Sequence, residues 1–115
     1  MISIETLKAY GANVEEGMAR CMNNEAFYLR IVNMVLADAS FDKLKAAVEA
    51  GDASAAFEAA HALKGATGNA SLTPIFNPVC AFSDTLKGHT DQPIPPQCLQ
   101  LADEVMAQLE KARNL

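Results

Sequence analysis

Apolar positions recur with a helical period along almost the whole chain, and glycines and small polar residues punctuate them. A short first helix is predicted over residues 3–10, closed by Gly11. Asn13 is placed to cap a second over residues 14–22, with Glu15 and Glu16 in a first turn that favours acids. Asn24 opens a third over residues 25–37, in which Phe27, Ile31, Met34 and Val35 form an apolar stripe. Ser40 or Asp38 caps a fourth over residues 41–50, with Leu44, Ala47 and Val48 inward and Gly51 just past the end. Asp52 then caps a long helix in which Ala56, Ala59, Ala60, Leu63, Ala66, Thr67 and Ala70 keep the 3, 4, 7 spacing of a packed face.

The stretch after Ala70 has two possible starts. Thr73-Pro74 and Asn77-Pro78 both read as a cap followed by proline at the first helical position. The pattern favours a main helix over residues 78–87, with a separate turn begun at Pro74. Ile75, Val79, Phe82 and Leu86 form one stripe from either start. Gly88 closes it, GHTDQPIPP is a loop, and a last helix over residues 96–113 offers Leu99, Leu101, Val105, Met106 and Leu109 to a core. Short connections make sequential helices antiparallel neighbours. The expected fold is all-α, an antiparallel up-and-down four-helix bundle with additional short N-terminal helices. No period of 20–50 residues marks a repeat array.

Composition narrows the function. At 115 residues, half of them hydrophobic, residues 1–115 are expected to form one folded domain. A net charge of −5 without a cluster of Lys and Arg argues against nucleic acid as a partner. Cys21, Cys80 and Cys98 are too widely and irregularly spaced for a CxxC pair, and neither histidine stands at metal-ligand spacing from them. Reduced thiols in a reducing compartment are the expectation. The first eight residues carry charges and lead into no apolar signal segment. The longest uncharged stretch, residues 65–83, is broken by Asn69, Pro74, Asn77 and Pro78, so no membrane span is expected. Together these features describe a soluble, cytoplasmic chain.

The segment AHALKGATGNA, residues 60–70, carries the candidate chemistry. At about 3.6 residues per turn, Lys64, Gly65 and Gly68 follow His61 at i+3, i+4 and i+7, on one face that points away from the alanine stripe. Glycine inside a helix costs about 1 kcal/mol relative to alanine, and this chain is rich in alanine. On spacing alone, a solvated histidine, an ordinary surface lysine and two helix-packing glycines are alternative readings, yet none accounts for all four residues together. A neutral imidazole nitrogen is a nucleophile near pH 7, and a flexible ammonium one turn away can stabilise a phosphoryl group in flight. His89, in a loop of Gly, Asp and Pro, reads as an ordinary exposed side chain.

HALKGATGN resembles the signature of histidine-containing phosphotransfer (HPt) domains, whose pattern is His-x-Leu-Lys-Gly followed by small residues. EAFYLRIVNMVLAD, with Tyr28, is similar to the upstream helix of that family, and FDKLKAAVEAGDASAAFEAAH to the lead-in to its histidine. The resemblance covers residues 13–90 and, by layout, the final helix. It implies that His61 accepts a phosphoryl group from a receiver-domain phospho-aspartate and passes it to another receiver. Lys64 then assists electrostatically and Gly65 supplies clearance, while Phe57, Glu58, Gly68 and Asn69 around them are candidate partner contacts. The implied partners are response-regulator receiver domains, a hybrid sensor kinase, or both, met by a monomer. No cofactor is implied, since in this family the receiver holds the Mg²⁺. No phosphate-binding loop or nucleotide-binding glycine motif is present, so the resemblance implies a phosphocarrier without its own kinase activity.

One departure stands out: Ser71 occupies a position where many members have glycine. Members often offer a polar residue from the next helix toward the histidine, and the register over the two prolines places either Ser83 or Asp84 there. The rival readings are a helical scaffold with His61 incidental, and a metal- or haem-binding bundle using His61, His89 and one of Met18, Met22, Met34 and Met106. The second is disfavoured because such sites face a bundle interior and His61 points outward.

Overall fold

The computed structural model describes residues 1–115, which form helices and turns without a strand. The helices are α1 (Ile4–Tyr10), α2 (Val14–Arg20), α3 (Glu25–Leu36), α4 (Ser40–Ala50), α5 (Ala53–Asn69), α6 (Thr73–Leu86) and α7 (Pro96–Arg113). Most helix starts follow the side-chain chemistry that the sequence offers. Asn13, Asn24 and Asp52 each accept a hydrogen bond from the backbone N–H three residues on, satisfying donors that a helix start leaves free. Ser3 and Thr6 close a reciprocal capping box on α1. At α4 the work falls to Asp38, whose carboxylate accepts from the Ser40 amide at 2.8 Å, while Ser40 is itself the first helical residue.

Helices α4 to α7 each pack on the next, and α7 returns against α4, which closes a four-helix bundle. Two-residue and three-residue connections, Gly51-Asp52 and residues 70–72, force α4, α5 and α6 to run antiparallel. Helix α3 packs against α7, and α1 and α2 complete the N-terminal side. One continuous core of 26 buried residues draws on every helix.

Helix α6 corrects the expected start at residue 78. It runs unbroken from Thr73, with Pro74 in its first turn and Pro78 inside. An internal proline usually costs about 3 kcal/mol or more, because it removes an N–H and crowds the preceding turn. Here Ile75 lies before Pro78 and Val79, Phe82 and Leu86 after it, and all four are fully buried on one face. Only a helix that keeps its phase through Pro78 buries them together, and that burial outweighs the local defect.

Three further expectations change. Helix α2 ends at Arg20, and Met22 and Asn23 then take left-handed backbone (φ 55° and 58°) that ends the helix before residue 22. In α3 the inward residues are Tyr28, Val32, Val35 and Leu36, whereas Phe27 and Met34 are exposed and Ile31 is half-buried. The cause is Tyr28, whose ring enters the space left by Gly17 and turns its neighbour Phe27 outward. In α7, Cys98, Ala102, Val105, Leu109 and Ala112 face the core, and Leu99 stays exposed because Cys98 takes the inward place beside it.

Candidate functional site

Helix α5 is held by small residues on one side and left bare on the other. Ala56, Ala59, Ala60, Leu63 and Thr67 are buried, and the Thr67 hydroxyl donates to the Leu63 carbonyl at 2.7 Å, so its burial leaves no free polar group. His61 and Gly65 are exposed on the opposite face, with Lys64 half-buried between them. One turn before His61, the half-buried Phe57 stacks its ring on the imidazole, with centroids 6.1 Å apart and planes 19° apart. Lys64 extends toward α6, where its Nζ lies 3.8 Å from Asp84 Oδ1.

The two glycines of this face differ. A Cβ built on Gly65 meets nothing within 4 Å, so the space beside it is open. A Cβ on Gly68 would stand 3.0 Å from Phe76 Cε1, because the Phe76 ring of α6 lies over that glycine. Gly68 is therefore a packing position as well as a member of the face. Beyond it, an open polar groove of about 580 Å³ runs from Lys64 and Gly65 to Asn69 and Asn77, with Arg20 on its far wall. Asn69 thus borders the groove, whereas Glu58 is exposed and does not line it.

The C-terminal end of α5 is anchored by the N-terminal helices. The Arg20 guanidinium donates to the Gly68 carbonyl at 2.8 Å and to Ser71 Oγ at 2.8 Å, and pairs with Glu16. The Tyr28 hydroxyl donates to the Ala70 carbonyl at 2.8 Å, and the Asn13 amide donates to the Ser71 carbonyl at 2.9 Å. Ser71 has left-handed backbone, φ 55°, a conformation that glycine adopts without steric cost. Its hydroxyl, held by Arg20, helps a non-glycine residue to stay there. Spacing gave no sign of Arg20, because its partners lie about 50 residues away along the chain.

Of the two α6 residues considered for the site, Ser83 is buried and Asp84 is exposed beside Lys64. Burial pushes the Cys80 thiol up from its ordinary range, with Lys64 drawing it down and Asp84 raising it further. Both charges therefore reach the same patch of α6. No group of three or more His, Cys, Asp and Glu side chains converges as a metal site would, and no helix is long and apolar enough to cross a membrane.

The family model described as Hpt domain matches residues 34–113. The chain belongs to the HPt domain family. No curated protein and no solved structure matches it. The match takes in the bundle α4–α7 and the whole His61 segment, and it begins inside α3. Helices α1 and α2 and most of α3, with Tyr28 and the Arg20 anchor, therefore lie outside the matched residues. HPt domains are phosphocarriers of histidine phosphotransfer in phosphorelays, exchanging phosphoryl groups with receiver domains rather than acting as kinases.

Proposed function

We propose that His61 is the phospho-accepting residue of this HPt domain, taking a phosphoryl group from one receiver domain and delivering it to another. The observation that carries the reading is the conjunction on one exposed face of an imidazole, a lysine and a glycine with nothing within 4 Å of its missing Cβ. In the accepting step the unprotonated ring nitrogen of His61 attacks phosphorus. The N–P bond forms as the bond from phosphorus to the aspartyl oxygen breaks, and the electron pair leaves with the carboxylate. The proton on the other ring nitrogen is kept or lost to water. The delivering step is the reverse, onto a second aspartate.

The chain's own residues supply position and charge. Phe57 limits the swing of the imidazole, Lys64 faces the negative charge spread over the phosphoryl oxygens, and Gly65 leaves room for the incoming domain. The receiver brings the Mg²⁺, so this chain needs no cofactor. Its three free cysteines support a relay working in the cytoplasm.

The test is to mix the purified chain with a panel of receiver domains carrying labelled phospho-aspartate, then add unlabelled receivers. Label is expected to reach the chain from at least one receiver and to leave it for another. A folded chain that takes no label from any of them would return the reading to a helical scaffold.

A further inference from the structure

Lys64 is the only cation on α5, and Asp84 is the only charged residue on α6. These two residues meet between the helices at 3.8 Å, with 42% and 69% of their side chains exposed. An exposed pair of this kind contributes at most about 1 kcal/mol to folding, so stability gives little reason for it. At a phosphoryl site the same energy acts on a different balance. The incoming group carries spread negative charge and draws on the ammonium that Asp84 already holds.

We infer that Asp84 is a positioning residue for Lys64, holding its ammonium on the α6 side of the site and competing with the phosphoryl group for it. This rests on the reading of His61 as the phospho-acceptor. In the unphosphorylated chain Asp84 keeps Lys64 extended beside the site rather than free in solvent. Once His61 is phosphorylated, Lys64 is shared between a carboxylate and the phosphoryl oxygens. The phosphorylated state is thereby held less tightly than it would be with Lys64 alone, which favours onward delivery. Asp84 touches neither the ring nor the phosphoryl group in this account and acts through Lys64.

The decisive experiment is a double-mutant cycle on the phosphoryl equilibrium between the chain and one phosphorylated receiver. Asp84→Asn is expected to raise the share of phosphoryl on the chain about three- to fivefold, the size of an exposed pair, and to lower the melting temperature by no more than a few degrees. In a Lys64→Ala background the same change is expected to have almost no effect, and Asp84→Glu should restore part of the original balance. An equal shift with and without Lys64 would mean plain repulsion by the carboxylate and would overturn the inference, as would no shift at all. A second readout needs no phosphoryl group. The side-chain NMR signals of Lys64 are expected to move in Asp84→Asn, and unmoved signals would remove the pair itself. A parent chain that accepts no label defeats the phospho-acceptor reading first, whatever the NMR shows.

Discussion

The ring of Phe57 lies against the imidazole of His61, centroids 6.1 Å apart and planes 19° apart, within a single turn of α5. Stacking restricts the imidazole on one side, and Gly65, one turn further along the same exposed face of α5, leaves open space. Aromatic pairs of this kind contribute about 0.5–1.5 kcal/mol beyond burial. Phe57 also packs its inner edge on the core, so it is at once a support for the fold and a wall of the site.

Phe57→Leu keeps an apolar side chain on the core and removes the ring. It is expected to leave the melting temperature close to that of the parent and to slow phosphoryl transfer several-fold. Phe57→Ala is expected to slow transfer similarly and to destabilise by about 1–2 kcal/mol, less than a fully buried phenylalanine would lose. Stopped-flow transfer rates beside thermal melts check both. A Phe57→Leu protein with parental kinetics would reduce Phe57 to a packing residue.

Gly65 separates helix propensity from function. With nothing within 4 Å of its missing Cβ, Gly65→Ala is expected to stabilise the helix by up to about 1 kcal/mol. Gly65→Gln is expected to keep that gain while transfer falls by orders of magnitude, because the added bulk meets the partner rather than the chain itself. Lys64→Ala is expected to preserve docking and slow transfer only in part, since charge is lost without blocking approach. Transfer rates and melting curves of all three, taken together, check this. A stable, fast Gly65→Gln would mean that the glycine does not serve the partner.

The N-terminal anchor makes a separate prediction. An added Cβ at Gly17 would overlap the ring of the fully buried Tyr28, so Gly17→Ala is expected to destabilise by about 1–3 kcal/mol despite its better helix propensity. Tyr28→Phe removes the hydroxyl that the Ala70 carbonyl accepts, leaving a buried acceptor unpaired at a cost of about 1–3 kcal/mol. Denaturant melts measure both. Hydrogen exchange is expected to place the added opening at the C-terminal end of α5 in Tyr28→Phe, and loss spread evenly over the bundle would contradict the anchor.

Local signals made most of this architecture legible. Asn13, Asn24 and Asp52 mark helix starts because their side chains satisfy backbone donors three residues away, and Gly11 and Gly51 mark ends because they accept left-handed backbone. The His61, Lys64 and Gly65 face was legible for the same reason: its geometry lies within two turns of one helix. What spacing missed depends on partners far along the chain. Pro78 reads as a start because proline suits a first turn, and although Ile75, Val79, Phe82 and Leu86 already share one stripe across it, only their burial against neighbouring helices decides for one unbroken helix. Phe27 outranks Tyr28 in hydrophobicity, yet Gly17 and the Ala70 carbonyl make a place for the tyrosine alone. Phe76 over Gly68, and Arg20 on the end of α5, are likewise contacts between helices that no single helix announces.

One side chain, His61, is expected to carry the phosphoryl group, and mapping the label tests this most directly. The parent chain, His61→Gln and His89→Gln are each incubated with the same phosphorylated receiver, and acid-labile phosphate on the chain is measured. Both variants are expected to fold as the parent does, because both histidines are exposed. Labelling of His89→Gln at the parental level and none of His61→Gln is the predicted result. Acid-labile phosphate retained on a folded His61→Gln protein would contradict the account.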